Sequence, residues 1–284
     1  MKHFYLIGNL SKEGTCEAAQ EIAVYLKQHG ASCSGSLKSR NAGGHGKGYT
    51  DPGQVPPETE CVITLGGDGT LIQAARDLID RQIPLIGINM GNLGYLTQVA
   101  RGESVIPMLD ALLTDNYQLE KRMMLEGCLI GTGGERRGFA LNDIVLTGAE
   151  GMQVLRFKTS VNGSFLNEYL ADGMIVATPT GSTAYNLSAG GPIVKPGAEL
   201  MVLTPVCSHA LNSSSIVLTK DDVVAFEMSG ESDRRQMIVF DGDKIMEFGN
   251  GDVLEIRKSA SYTTLVQLKN ISFLENLRNK MSRV

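Results

Sequence analysis

Residues 61–70 read Cys-Val-Ile-Thr-Leu-Gly-Gly-Asp-Gly-Thr. An apolar, β-branched run stops at paired glycines, an aspartate follows, and Leu71 to Asp80 then has helical spacing. This order predicts a strand, a tight glycine loop and a helix, with Thr70 available to cap the helix. Glycine lets backbone approach a ligand without a Cβ in the way, and a helix N-terminus favours phosphate. Asp68 is the one ionisable side chain of the loop. Gly66, Gly67, Gly69 and Thr70 are therefore read as a phosphate-donor loop, and Asp68 as a carboxylate acting on a hydroxyl. No Lys follows at the spacing of a Walker A motif, and the loop is not G-x-G-x-x-G, which disfavours a hydride-transferring dehydrogenase.

The surrounding chain fits an open α/β sheet. His3 to Gly8 is a buried strand candidate, Asn9 to Thr15 a polar turn, and Glu17 to His29 a helix with Ala19, Ile22 and Leu26 on one face. Gly30 stands where that helix would end. Asn9 and Lys12 either face a phosphate or form a plain surface turn. Residues 41–53 are rich in glycine and poor in apolar side chains, which suggests a surface flap; His45 and Lys47 are its candidate ligand contacts. Pro84 to Asn89 is another buried strand, followed by the glycine-rich turn Met90 to Leu96. Ligands of such sheets sit at the carboxyl ends of strands, so Asn89, Gly91 and Asn92 are expected beside Asp68. Ser104 to Thr114 is a short helix.

After about residue 118 helical spacing almost vanishes. Short β runs alternate with turn residues at 118–131, 138–147, 153–162, 174–178, 200–204, 215–219, 222–228, 236–241, 252–257 and 262–269. The tail from Ser272 to Arg283 returns to helix. The expected architecture is an α/β N-terminal domain with a Rossmann-like open sheet over residues 1–118, and an all-β C-terminal domain, a β-sandwich, over 119–270. The tail, 271–284, is expected to pack back on the first domain. The whole chain of 284 residues leaves ample material for a core.

Composition excludes some classes. A net charge of −5 without a substantial basic run argues against nucleic-acid binding through bulk charge. The five cysteines, Cys16, Cys33, Cys61, Cys128 and Cys207, are odd in number and form no C-x-x-C pair, so a disulfide framework or thiolate zinc site is disfavoured. Buried, reduced thiols in a cytoplasmic protein are the expectation. The apolar N-terminal run is too short for a signal peptide or a membrane span.

Two further stretches carry polar groups. Asp172-Gly173 opens a strand that feeds Thr178-Pro179-Thr180-Gly181-Ser182-Thr183-Ala184-Tyr185, with Ser188 beyond. Ser182 or Thr183 is a candidate cap for a short helix, and the run offers hydroxyls, backbone N–H groups and one ring. Asn142-Asp143 interrupts an apolar run from Phe139 to Leu146. Such a pair is either a bulge on the solvent face or a pair of ribose-binding groups, and the dipeptide alone favours the bulge. Asp241-Gly242-Asp243 is a hairpin signal. His209 is a candidate base, though a lone histidine beside a strand is more often structural.

Together these residues resemble the NAD kinase family. The resemblance rests on Gly66-Gly67-Asp68-Gly69-Thr70, on Asn142-Asp143 in the family's Asn-Glu position, and on Asp172-Gly173 with Thr178 to Tyr185. It continues through Ser188-Ala189-Gly190-Gly191-Pro192 and Thr204-Pro205…His209, in family order. The glycine-aspartate motif is shared with phosphofructokinases and with diacylglycerol and sphingosine kinases; the threonine-rich run is more specific. The resemblance implies transfer of the terminal phosphoryl of ATP, or of polyphosphate, to the 2′-hydroxyl of the adenosine ribose of NAD, with Mg²⁺ or another divalent cation. It implies Asp68 as general base or orienting carboxylate. Asp68, Gly69, Asn142, Asp143, Asp172, Thr183, Ala184, Tyr185, Ser188 and Asp243 would contact NAD. It also implies a homodimer or homotetramer; the net charge and the short apolar N-terminal run argue against a nucleic-acid or membrane partner. Three positions depart from the family pattern: Asp143 is a methylene shorter than glutamate, Asn212 to Ser215 stands where an arginine is common, and Asp243 replaces a glutamine. A diacylglycerol-type lipid kinase and a non-catalytic dinucleotide sensor are the alternatives.

Overall fold

The structure is a computed structural model that describes residues 1–39, 48–91, 94–131, 133–149, 154–209, 214–229, 236–268 and 273–281. His45, Lys47, Asn92, Asn212 and Ser213 lie outside the described residues. In chain order the elements are β1 (His3–Asn9), α1 (Thr15–Gln28), β2 (Ser32–Lys38), β3 (Cys61–Gly66), α2 (Asp68–Asp77), β4 (Leu85–Asn89) and α3 (Ile106–Leu113). There follow β5 (Gln118–Gly131), β6 (Gly134–Ala140), β7 (Asp143–Gly148), β8 (Leu155–Val161), β9 (Ser164–Ala171) and β10 (Gly173–Ala177). The rest are α4 (Tyr185–Ser188), β11 (Leu200–Val206), β12 (Ile216–Thr219), β13 (Val224–Met228), β14 (Gln236–Phe240), β15 (Lys244–Phe248), β16 (Val253–Gln267) and α5 (Phe273–Met281). Two compact units emerge, one of Met1–Lys121 with Tyr262–Val284, the other of Arg122–Ser261.

The first unit is an open sheet in the order β2-β1-β3-β4, paired in parallel, with the end of β16 beside β4 through Leu265 and Leu85. Strands β3 and β4 are buried at every residue, as strands covered on both faces must be. Helix α1 buries Ala19, Ile22 and Leu26, and Gly30 behind it has φ 75°. After β1 the chain turns to β2 on one side, and β3 lies on the other. The loops leaving β1 and β3 therefore flank a topological switch point, where such sheets take ligands. Helix α2 begins at Asp68, three residues before the expected start, because the glycine loop closes within Gly66-Gly67. Its N-cap is Gly67 with no side-chain cap, so Thr70 does not cap the helix but lies buried in its first turn.

The second unit is an antiparallel β-sandwich, as expected. One sheet runs β12-β11-β10-β7-β14-β15; facing it are β16, β13, β8 and β9, with the hairpin β5–β6. Leu146, Met174, Val176, Leu203, Ile238 and Phe240 meet Phe157, Phe226, Leu254 and Ile256 in the core between them. The other face of β7, β10 and β11 carries Val145, Ile175, Ala177 and Val202, which pack with Ala189 and Val194. Covered on both faces, these strands read as continuous apolar runs rather than alternating ones.

Several element boundaries differ from the sequence reading. The run 138–147 breaks at Leu141-Asn142 into β6 and β7, and the runs 252–257 and 262–269 are one strand, β16. Cys61 and Cys128 are buried, but Cys16 and Cys207 are exposed, which corrects the expectation of buried thiols; all five are free. Burial pushes the Cys61 thiol up to about 12. No helix among the described residues is long and apolar enough to cross a membrane.

Candidate functional site

In the first unit, chemistry gathers where β1, β3 and β4 end. Asp68 is the first residue of α2, half-buried, and its carboxylate lies against the segment after β4. Oδ2 accepts the Tyr95 N–H at 2.5 Å, and Oδ1 accepts the N–H groups of Leu96 and Thr97 at 3.2 and 3.3 Å. A Cβ on Gly94 would lie 1.8 Å from Oδ1, so only glycine lets the carboxylate seat there. The Asp68 charge, after burial, holds the Tyr95 phenol above its ordinary value. Asn89 supports this cradle: it is buried, its Nδ2 donates to Thr97 Oγ1 at 3.2 Å, and its Oδ1 accepts the Gly91 N–H at 2.6 Å. The Met90 N–H donates to the Gly66 carbonyl at 2.7 Å, tying the ends of β3 and β4 together.

The loop glycines divide into two kinds. A Cβ on Gly66 would lie 2.3 Å from Thr70 Oγ1, so packing demands glycine there. A Cβ on Gly67 or Gly69 would meet nothing within 4 Å among the described residues, which leaves open space above the helix N-terminus. Across the switch point, Lys12 is exposed in the loop after β1 and makes no ion pair among the described residues. Its Nζ stands 3.8 Å from the Cβ position of Gly91.

In the second unit, Asn142 and Asp143 meet the threonine-rich run. The Thr178 N–H donates to the Asn142 carbonyl at 2.8 Å, and its hydroxyl donates to the Leu141 carbonyl at 2.6 Å. Asp143 is only 5% exposed, so the pair is not a bulge on the solvent face. Burial, and then the charge of Asp241, push the Asp143 carboxyl up to about 7. Asp241 and Gly242 have φ 51° and 69° in the β14–β15 hairpin, as the Asp-Gly signal predicted, and Asp243 follows in the same turn.

The hydroxyl-rich run serves structure more than its composition suggested. Thr178, Thr180 and Ser182 are buried. Ser182 Oγ donates to the Pro179 carbonyl at 2.7 Å and accepts the Val194 N–H at 2.9 Å. Neither Ser182 nor Thr183 caps α4; its N-cap is Ala184, with no side-chain bond. Asn186 is wholly buried: its Nδ2 donates to the carbonyls of Ser182 and Pro192 at 3.1 and 3.0 Å, and its Oδ1 accepts the Thr204 hydroxyl at 2.7 Å. Sequence reasoning missed Asn186 as the pin of this loop; an amide flanked by Ser182 and Gly191 was its only trace. Thr183 and Ala184 are half-buried, and Tyr185 and Ser188 are exposed.

Asp172 is not brought beside Asn142. Asp143 pairs with Ala177 at one end of β10, and Asp172 precedes the other end. Five residues of strand separate them, about 17 Å. His209 is exposed and its backbone N–H donates to the Leu170 carbonyl at 2.9 Å; among the described residues its ring has no partner that would make it a base.

The model of the ATP-NAD kinase N-terminal domain matches residues 52–117, and that of the ATP-NAD kinase C-terminal domain matches residues 141–268. The NAD kinase of Lachnospira eligens is 43% identical over 99% of this chain and 100% of its own length. The chain belongs to the NAD kinase family. The NAD kinase of Agathobacter rectalis is 41% identical, covering 99% of both chains. Among solved structures, the NAD kinase fold recurs in yeast NADH kinase complexed with NADH, at TM-score 0.87 and 21% identity over 99% of this chain and 88% of that one. It recurs also in an NAD kinase from Archaeoglobus fulgidus in complex with ATP, at TM-score 0.78 and 23% identity over the whole of both chains. Within this NAD kinase family member, Asp68 lies inside the stretch matched by the N-terminal model, and Asn142 to Asp243 inside that matched by the C-terminal one.

Proposed function

We propose that this chain is an NAD kinase that transfers the terminal phosphoryl of Mg²⁺–ATP to the 2′-hydroxyl of the adenosine ribose of NAD, giving NADP. The observation that carries the proposal is the Asp68 carboxylate, held by the N–H groups of Tyr95, Leu96 and Thr97 at the N-terminus of α2, beside the open space at Gly67 and Gly69. The 2′-oxygen attacks the γ-phosphorus, the bond to the β,γ-bridging oxygen breaks, and ADP leaves. The 2′-hydroxyl proton passes to Asp68, or is oriented by it as the new bond forms. Gly66, Gly67, Gly69 and Thr70 receive the donor's phosphates, with Lys12 as a neighbouring cation. Asn142, Asp143, Asp172, Thr183, Ala184, Tyr185, Ser188 and Asp243 bind NAD, together with Gly69 and Asp68. Residues 1–118 act as the donor domain and 119–270 as the dinucleotide domain.

Mg²⁺ enters on the donor's phosphates, consistent with its preference for phosphate and water over all-protein cages. No group of three or more His, Cys, Asp or Glu among the described residues could hold a metal ion. Polyphosphate is an alternative donor. The working form is a cytoplasmic homodimer or homotetramer.

Incubation with Mg²⁺–ATP and NAD, read by an NADP-specific dehydrogenase, is expected to yield NADP. Phosphorylation of diacylglycerol instead supports the lipid-kinase reading. Tight NAD binding without transfer from ATP or polyphosphate supports a sensor.

A further inference from the structure

The break between β6 and β7 places Leu141, Asn142 and Asp143 in a turn held from two sides. On one side the Asp241 carboxylate accepts three successive N–H groups, from Leu141 at 3.0 Å, Asn142 at 2.7 Å and Asp143 at 3.3 Å. On the other, Thr178 takes up the carbonyls of Leu141 and Asn142 at 2.6 and 2.8 Å. Gly181 closes the turn so tightly that a Cβ there would lie 2.1 Å from the Asn142 carbonyl oxygen. The Asp241 N–H returns to the Asp143 carbonyl at 3.0 Å.

The backbone of the turn is thereby satisfied, while two side chains are not. The Asn142 amide and the Asp143 carboxyl make no hydrogen bond among the described residues, although Asp143 is 95% buried by its 5% exposure. Both groups keep access to solvent, Asn142 being half-buried, and are free to pair with a ligand. An amide and a carboxyl side by side match the adjacent hydroxyls of a ribose.

We propose that Asp241 is a positioning residue for NAD recognition, clamping the Leu141–Asp143 turn so that the Asn142 amide and Asp143 carboxyl are presented to the dinucleotide. This rests on the NAD kinase reading above. A carboxylate suits the task because a charged acceptor binds N–H groups about twice as strongly as a neutral one. The hairpin supplies the geometry: φ 51° at Asp241 is a left-handed conformation that Asp, Asn and Gly tolerate best. After burial, the same carboxylate is the second cause that raises Asp143. Asp241 is the charged group acting on Asp143, whose partner across β10, Ala177, carries no charge.

The test is steady-state NADP formation by the full chain, comparing parent, Asp241→Ala and Asp241→Asn. For Asp241→Ala the KM for NAD is expected to rise about ten-fold or more, with the KM for ATP and kcat changed less than about two-fold. Asp241→Asn keeps an acceptor in the same turn, and should recover part of the loss. It also removes the charge beside Asp143. In the parent, KM for NAD should fall as pH rises through about 7, as Asp143 ionises and accepts a ribose hydroxyl more strongly. In Asp241→Asn that step should move to lower pH; the rise in KM confined to NAD at near-parental kcat is the change that a merely structural role would not produce. If Asp241→Ala fails to fold, Asp241→Asn decides. Parental KM for NAD and an unmoved pH step in Asp241→Asn, or a loss confined to kcat, overturn the proposal. A parent that forms no NADP overturns the underlying reading instead.

Discussion

Asp68 and Asp241 are held in the same way and do different work. Each carboxylate accepts three successive backbone N–H groups, from Tyr95 to Thr97 in one case and from Leu141 to Asp143 in the other. A cradle of amides therefore does not by itself mark a reacting group. What differs is the setting. Asp68 opens a helix of ten residues at the switch point of a parallel sheet, next to glycines with open space above them. Asp241 sits in a hairpin turn with its oxygens turned onto the backbone of a neighbouring loop. The amides orient Asp68; in the second case Asp241 orients the amides.

The strongest challenge to this contrast is Asp68→Asn. It keeps the shape and removes the base, so kcat should fall about 1000-fold while NAD binding by calorimetry stays near parental. Full activity in that variant would remove Asp68 from the chemistry and leave both aspartates as scaffolding. Gly94→Ala tests the same point without touching the carboxylate. Its Cβ would stand 1.8 Å from Oδ1, so Asp68 must leave its seat. A loss of about 100-fold in kcat is expected from misplacement, with the fold retained by circular dichroism.

The Asp241 side of the contrast is sharpened by stability. Asp143 ionises near 7 in the folded protein against an ordinary 3.8, so the folded state holds the proton more tightly than the unfolded chain. Stability should therefore be lost as pH rises from about 4 to about 7, by up to about 4 kcal/mol, and then level off. Denaturant unfolding of Asp143→Asn should lack that slope; the same slope in both proteins would show that another group titrates. The smallest effect is expected at Lys12. Lys12→Ala should raise the KM for ATP by about two- to five-fold and leave the KM for NAD alone, as removal of one exposed phosphate contact would. Equal changes in both constants would place Lys12 outside the donor's reach.

The parts of the fold written in local pattern were legible. Strands β3 and β4 are short apolar runs stopped by glycine or asparagine, and α1 shows its buried stripe and its glycine stop. Strand β2, Ser32–Lys38, was not recognised, because an edge strand of mostly exposed Ser and Gly has no apolar alternation. Strand β9 and the hairpin strand β15 were missed for a related reason: their exposed faces carry mixed residues, and pairing with β8 and β14 makes them strands. The site was legible where chemistry is local. Asp68 in its glycine loop could be read from ten residues. Tyr95 to Thr97, which hold it, could not, since backbone N–H groups have no sequence signature.

The sequence by itself determined the α/β half followed by the β half, the phosphate loop with one carboxylate, and the family to which the chain belongs. These depend on neighbours in the chain: periodicity, turn residues and motif spacing. Tertiary structure alone decided that Ser182, Asn186 and Thr178 spend their polar groups on the backbone, and that Asp172 stands a strand's length from Asn142. It alone turned Asp241 from a hairpin residue into the clamp of a loop 98 to 100 positions away. Hydrogen bonds and burial over such separations follow from how strands pair, and no local pattern encodes them.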